Sequence, residues 1–225
     1  MRWLVKTLTS VTGRKAIAAV TGLGLVLFLV FHLVGNIPIF SKSSDFNDHA
    51  HEIHSGILIV LADVGLLIAF PLHLAAVISL ARDNRKARGS QGYKASGSKQ
   101  TRSKLAVLAS KTTVIGGLLL LAFLVLHVIQ FRFNHDTLST EPGGLRGAVL
   151  RMLFHPAIGP IYIVGSLLAS WHLFHGIQAA ARSLGVHHPR YTPIIVSGGA
   201  ALAWILGIGF ASIPAWILIT HPAGG

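Results

Sequence analysis

The chain has 225 residues, of which 52% are hydrophobic and only 12% are charged, and its mean hydropathy is +0.64. A soluble domain is about 25% charged, so this composition excludes an ordinary soluble protein and indicates a membrane protein. The absence of cysteine excludes disulfides, thiolate ligands and c-type haem attachment, which leaves histidine to hold any metal or haem. We expect no nucleic-acid binding, because the formal net charge of +12 follows the membrane topology described below.

Five apolar segments are each long enough to cross a bilayer, which takes about 20 residues. A basic stretch rich in Gly and Ser, 82–104, separates the second from the third and reads as a loop. The sequence predicts an all-α integral membrane bundle, a single domain over 1–225, whose first apolar run is a retained span rather than a signal peptide. The predicted spans cover about 16–38, 53–81, 105–131, 157–181 and 193–219.

Positive charge is concentrated on one side of this predicted bundle. With the N-terminus in the cytoplasm, only Lys42, Arg132, Arg146 and Arg151 of the 19 lysines and arginines fall in the outside segments. Cytoplasmic loops of membrane proteins carry the excess of Lys and Arg. We therefore expect a cytoplasmic N-terminus and an external C-terminus.

Four histidines lie inside the first four spans at two matched depths. At a rise of 1.5 Å per residue, His73 and His172 lie about 14–15 Å from the cytoplasmic edge, and His32 and His127 about 24–27 Å. Two imidazoles at one depth on facing helices can coordinate a haem from both sides. The pattern predicts two bis-histidine haems, His32 with His127 and His73 with His172. Because both axial positions are filled, such haems suit electron transfer.

Simpler interpretations compete with this hypothesis. A histidine inside a span can be a polar residue that is hydrogen-bonded to a neighbouring helix, although such residues are costly in lipid and often functional. Gly22 and Gly117 each precede a predicted ligand by ten residues and would let a helix pass the edge of a porphyrin. Glycines are also common where membrane helices pack. On span four, His175 competes with His172 because it lies on nearly the same helix face.

Short motifs around these histidines resemble one known family. They are Thr21-Gly22 followed by His32-Leu33-Val34-Gly35-Asn36, then Leu126-His127-Val128, the entry from Phe154-His155-Pro156 to Tyr162-Ile163-Val164-Gly165, and Trp171-His172-Leu173-Phe174-His175-Gly176. In order and spacing, they are similar to the dihaem cytochrome b membrane anchor of succinate dehydrogenases and fumarate reductases. The similarity is to the single-chain, five-helix type and covers nearly the whole chain.

This resemblance implies an anchor with two b-type haems, paired as above, that passes electrons between an iron–sulfur subunit and membrane quinone, with menaquinone expected. The iron–sulfur subunit and a flavoprotein subunit, where the succinate chemistry takes place, would dock on the cytoplasmic face. The implied location is the inner (cytoplasmic) membrane of a bacterium. The complex could also form a higher oligomer. A related alternative is the dihaem cytochrome of a hydrogenase or formate dehydrogenase.

Polar residues near the spans extend these expectations. In the family, an acidic residue near the start of span two delivers protons to quinone, and Glu52 is the position that fits. It lies among His49, His51 and His54, which could bind a metal, assist proton delivery or simply form a solvated loop. Arg14 and Lys15 are placed for the propionates of the inner haem or for anchoring at the interface.

Asp63, inside span two, is the one remaining intramembrane carboxylate candidate for function. It could line a quinone pocket, carry protons or bond a neighbouring hydroxyl group, because a buried carboxylate in a span is usually functional. A transporter or proton channel that uses Asp63 and the histidines is an alternative of a different class, and it requires no haem.

Overall fold

The computed structural model describes residues 2–41, 43–88, 104–186 and 188–220, and every regular element in them is helical. The all-α prediction is confirmed for this part of the chain. A 3₁₀ turn, Ile37–Phe40, follows α2, and a π-helix, Val128–Arg132, follows α5 without a break. The α-helices are α1 (Arg2–Thr9), α2 (Val11–Asn36), α3 (Ser43–Ser55), α4 (Ile57–Arg88), α5 (Lys104–His127), α6 (His135–Ser139), α7 (Gly144–Phe154), α8 (Ile158–Ser183) and α9 (Thr192–Thr220).

Four of these helices, α2, α4, α5 and α9, are long and apolar enough to cross a membrane. Helix α8 meets the same test only when it is joined to α7, from which it is bent by 91°. Large apolar side chains cover the outside of the bundle; Leu67 is 74% exposed and Phe31 67%. An apolar surface of this kind is unfavourable in water. The described helices are therefore compatible with a multi-pass membrane bundle.

The helix bounds differ from the predicted spans mainly at the start of span two. That span was expected to begin at residue 53, whereas α3 ends at Ser55 and α4 begins at Ile57, with Gly56 between them. Helix α3 is rich in His, Asp and Asn, which are costly to place in lipid. The chain therefore turns at Gly56 before the apolar run begins. Most of the predicted loop 82–104 lies outside the described residues, and α4 continues to Arg88.

The most extensive helix–helix interface among the described residues is between α8 and α9. Ser170, fully buried, donates its hydroxyl to the carbonyl of Ala203 at 2.8 Å. A Cβ on Gly207 would overlap the Cβ of Ser170, so the two backbones approach as closely as their small side chains allow. Small residues of this kind are what lets membrane helices pack.

The other long helices form a U in cross-section. Helix α2 packs against α8, α4 packs along α2, and α5 packs along α8. Within the described ranges, α4 and α5 do not pack along each other, so the U has an open side between them. One end of the bundle is covered by α3, α6 and α7 and is called the covered end. The opposite end, with α1, Arg14 and Lys15, is called the basic end.

Candidate functional site

Two of the predicted ligands meet near the covered end. The rings of His32 on α2 and His127 at the end of α5 have centroids 5.8 Å apart, with their planes at 82°. Phe28 stacks on His32 at 5.3 Å, and Tyr162 lies 5.8 Å from His127. Aromatic packing on both histidines limits the rotation of their rings. The structure thus brings together the pair that sequence depth alone had matched.

The spacing of this pair fits two ligands of one metal atom. A metal–imidazole bond is about 2 Å long, so two rings bound to one iron have centres on the order of 6 Å apart. The buried Nδ1 atom of His127 has no hydrogen-bond partner among the described residues. A buried polar atom without a partner costs free energy. The spacing of the two rings is compatible with one metal atom between them, and the unpaired Nδ1 is a separate buried polar atom of this site.

His73, on α4, is held by a different arrangement nearer the basic end. Its Nδ1 lies 3.0 Å from the carbonyl oxygen of Ala18 and 3.2 Å from the hydroxyl of Thr21. The hydroxyl of Thr21 itself donates to the carbonyl of Ile17 at 2.6 Å. Nδ1 of His73 therefore carries the proton and donates it to Ala18, which leaves Nε2 with a free lone pair. A second-shell hydrogen bond from the other ring nitrogen is how metal-bound histidines are usually oriented.

His172, on α8, lies near enough to His73 to interact with it electrostatically, and His175 also acts on His172. The Nδ1 atom of His172 is buried and has no hydrogen-bond partner in the described part of the chain. Its environment therefore resembles that of His127. The structure places His172 and His175 on the same side of α8. Their positions therefore do not decide which of the two would be the haem ligand.

Gly22 and Gly117 lie against this second pair of histidines. A Cβ on Gly22 would be 3.1 Å from Cε1 of His73, and a Cβ on Gly117 would be 3.7 Å from Cε1 of His172. Gly24, two residues beyond Gly22, has no such neighbour within 4 Å. Gly22 thus leaves room for the imidazole of His73, whereas a Cβ on Gly117 would make only an ordinary contact with His172. The place of both glycines at the edge of a porphyrin stays a prediction.

Arg14 and Lys15 differ in their surroundings at the basic end. Arg14 donates Nη2 to Asp83 at 2.6 Å, while its Nε is buried without a partner among the described residues. The side chain of Lys15 is exposed. Arg14 therefore retains a buried N–H from which an anionic group, such as a haem propionate, could accept a hydrogen bond. Lys15 has the surroundings of an interfacial anchor.

Glu52 lies on an exposed face of α3. It does not line the cavity of about 370 Å³ that opens at the covered end. His51, His54 and His135 do line this cavity, together with Asn47, Ala50, Ser139, Gly144 and Leu145. The structure therefore brings other protonatable groups, rather than Glu52 itself, to the polar cavity beside span two.

A stacked histidine pair in this cavity was missed by sequence reasoning. The rings of His54 and His135 are parallel within 18°, and their centroids are 3.9 Å apart. Nδ1 of His54 donates to the carbonyl of Ala50 at 2.8 Å, so Nε2 is the nitrogen that can accept a proton. Burial lowers the pKa of His54. The sequence offered no signal for His135, because it lies in a different segment and reaches His54 only through folding.

Asp63 also has a partner that the sequence did not predict. Arg132, the last residue of the π-helix, donates Nη2 to Oδ2 of Asp63 at 2.6 Å and Nε to Oδ1 at 3.3 Å. Asp63 was expected to face a quinone pocket, a proton path or a hydroxyl group. Its carboxylate is instead engaged at both oxygens by one guanidinium.

The described residues contain no group of three or more His, Asp or Glu side chains arranged to hold a metal ion by themselves. A haem iron needs fewer protein ligands than a bare metal ion, since two axial histidines suffice for a low-spin haem. The His32–His127 pair, and His172 near His73, therefore suit a haem better than a bare metal ion. No protein-family model matches the chain, and neither a curated protein nor a solved structure does.

Proposed function

We propose that this protein is the membrane anchor and dihaem cytochrome b subunit of a succinate:quinone oxidoreductase. One observation carries the proposal: the rings of His32 and His127, on two long helices, lie 5.8 Å apart, and His172 lies near His73 on two others. The sequence motifs around them resemble those of the dihaem anchors.

Each pair would hold one haem b, which supplies one-electron transfer when bound. The residues of this chain orient and accommodate it. Ala18 and Thr21 fix the ring of His73 so that Nε2 is free to bind. Gly22 leaves space beside the ring of His73, and Gly117 lies beside the ring of His172. Arg14 would donate a hydrogen bond from its buried Nε to a propionate.

The arrangement in the membrane follows from charge and length. We assign five spans to α2, α4, α5, α8 and α9, with the N-terminus in the cytoplasm and the location in the inner membrane of a bacterium. The basic end then faces the cytoplasm. A flavoprotein subunit and an iron–sulfur subunit would dock there, because this chain has no cysteine with which to bind a cluster.

Spectroscopy and mutation of the histidines test the haem assignment. A pyridine haemochrome assay on the purified protein is expected to give two b-type haems per chain. Alanine at His32, His127, His73 or His172 is expected to remove one of them, whereas His175→Ala serves as the control and keeps both. A protein without haem would favour the transporter class. Loss of a haem in His175→Ala but not in His172→Ala would exchange their roles.

Co-purification through a tag on this chain tests the assignment to succinate chemistry. We expect a flavoprotein and an iron–sulfur protein to be recovered, together with succinate-dependent reduction of a menaquinone analogue. Recovery of a hydrogenase or formate dehydrogenase would be consistent with two haems but would contradict the assignment to succinate chemistry.

Glu52 is the proposed proton donor to quinone, since quinone reduction takes two protons with its two electrons. Glu52→Gln keeps the size of the side chain and removes its titrating proton. We expect both haem spectra to stay intact and quinone-coupled turnover to fall at least tenfold, about 1.4 kcal/mol in the barrier. Asp48→Asn, on the same exposed helix, is the matched control. Full turnover in Glu52→Gln would move the proton donor elsewhere, with the His54–His135 cavity as the next position to test.

A further inference from the structure

The helix that carries His127 changes its winding directly after that residue. Helix α5 ends at His127, and the next five residues, Val128–Arg132, form a π-helix. The amide of Phe133 donates to the carbonyl of Val128 at 3.1 Å, which closes the wider turn. A π-helix is rare in proteins, and this one ends the helix, because residues 133 and 134 form a turn. The side chains of this segment also contact other parts of the fold.

Two side-chain contacts connect the π-helix to other helices. Gln130 accepts a hydrogen bond from the hydroxyl of Tyr162 on α8 at 2.7 Å. Arg132 makes its two hydrogen bonds to Asp63 on α4. A third contact is local, since Asn134 donates Nδ2 to the carbonyl of Ile129 at 2.7 Å. The π-helix is therefore tied on one side to α8 and on the other to α4.

The contact with Asp63 spans the open side of the U. In the described ranges, α4 and α5 do not pack along each other, so this ion pair joins two helices that lack an extended interface. Ion pairs exposed to water contribute little. This pair is two-pronged, which adds geometric specificity to its energy. The two hydrogen bonds of the pair can therefore fix the orientation of the π-helix, even if they add little to the free energy of unfolding.

We propose that the Asp63–Arg132 pair is a positioning clamp for His127, holding the π-helix so that the imidazole of His127 faces His32. Without the clamp, the segment can relax to an α-helix. Each residue of an α-helix turns the chain by about 100°. A change from π-winding to α-winding would remove one residue from this turn. It would therefore rotate His127 relative to Gln130, which stays hydrogen-bonded to Tyr162. This inference rests on the proposed function where it concerns haem, and the clamp itself can be measured without haem.

The test compares Asp63→Asn and Arg132→Gln with a matched control at the same end of the bundle. The control is Glu141→Gln, which breaks the exposed Arg151–Glu141 pair, 3.1 Å long. In protein without haem, hydrogen exchange of residues 128–134 is expected to quicken at least tenfold in both clamp variants and to stay unchanged in the control. Unchanged exchange in the clamp variants would overturn the inference, whatever the haem content.

The haem-loaded complex gives the second readout. The low-spin electron paramagnetic resonance signal of the haem that is lost in His32→Ala should shift in Asp63→Asn, and the signal of the other haem should not. Asp63→Glu keeps the carboxylate and is expected to restore the native signal. Equal shifts of both signals, or none, would overturn the clamp while leaving the proposed function standing. A wild-type protein that binds no haem would refute the proposed function alone.

Discussion

Gly22 occupies a position where one added methyl group meets a predicted ligand. A Cβ there would lie 3.1 Å from Cε1 of His73, so the ring would have to move. Overpacking of this kind typically costs about 1–3 kcal/mol. We predict that Gly22→Ala alters the absorption and paramagnetic resonance signals of the haem at His73 and His172, but not those of the other haem. Gly24→Ala, on the same helix with open space around it, should leave both sets of signals unchanged.

His54 provides a second test at the scale of one residue, through its response to pH. Burial lowers the pKa of His54 below its ordinary value of 6.5, and the hydrogen bond to Ala50 offsets part of this shift. The charges of His135 and Arg132 lower the pKa further, while that of Asp63 raises it. The unfolded chain therefore binds a proton at a higher pH than the folded one. The stability that this histidine contributes is complete above pH 6.5 and is lost as the pH falls through the lowered value.

Substitutions of the two neighbouring charged residues, Arg132 and Asp63, should shift the pKa of His54 in opposite directions. We predict that Arg132→Gln raises the pKa of His54 because a positive charge is removed, and that Asp63→Asn lowers it because a negative charge is removed. Titration of carbon-13-labelled histidines by nuclear magnetic resonance, with His54→Gln used to assign the signal, measures both. Shifts of the same sign in the two variants would show that the local fold, rather than the charges, controls this residue.

At the scale of elements, the long helices could be predicted because hydropathy over about 20 residues depends on composition alone. The depth match of the four histidines was also predictable, because helical rise converts residue number into distance. The break at Gly56 was missed since the polar helix α3 and the apolar helix α4 follow one another with a single residue between them. The π-helix after His127 was missed because its contacts, from Asp63 and Tyr162, come from distant parts of the chain.

Helix α1 offers a prediction that belongs to this scale. It meets α2 at Ser10, whose side chain accepts a hydrogen bond from the amide of Gly13 at 3.0 Å. A Cβ on Gly13 would overlap the backbone of Thr7, so the angle between the two helices depends on this glycine. The exposed side chains of α1 are basic on one face, with Arg2 and Lys6, and apolar on the other. Such a helix lies in the membrane interface.

We predict that Gly13→Ala tilts α1 away from this position. A fluorophore on Val5→Cys, a 60% exposed site in a chain without natural cysteine, reports its depth through quenching by brominated lipids. Quenching should fall in Gly13→Ala and stay the same in the control Gly24→Ala. Unchanged quenching in Gly13→Ala would mean that α1 is held by the membrane rather than by its junction with α2.

At the scale of the whole molecule, the U of four helices explains why the histidine pairs could be inferred but their supports could not. Helices α2 and α5 carry one pair and α4 and α8 the other, so both pairs cross the interior of the U. The open side of the U is bridged by side chains that are distant in sequence and meet only after folding. Asp63 and Arg132 are separated by 69 positions in sequence and nevertheless form the bridge between α4 and the end of α5.

The last prediction concerns the orientation of this U in the membrane, on which the docking side depends. Ala87, near the end of α4 at the basic end, and Thr140, after α6 at the covered end, are both exposed. With a cytoplasmic basic end, Ala87→Cys should react with a membrane-impermeant maleimide only in inside-out vesicles, and Thr140→Cys only in right-side-out cells. Each variant is the control for the other, since the chain has no cysteine of its own. The reverse pattern would place the His32–His127 pair on the cytoplasmic side and move the docking surface to the covered end. Reaction of both from one side would mean that an even number of spans separates them.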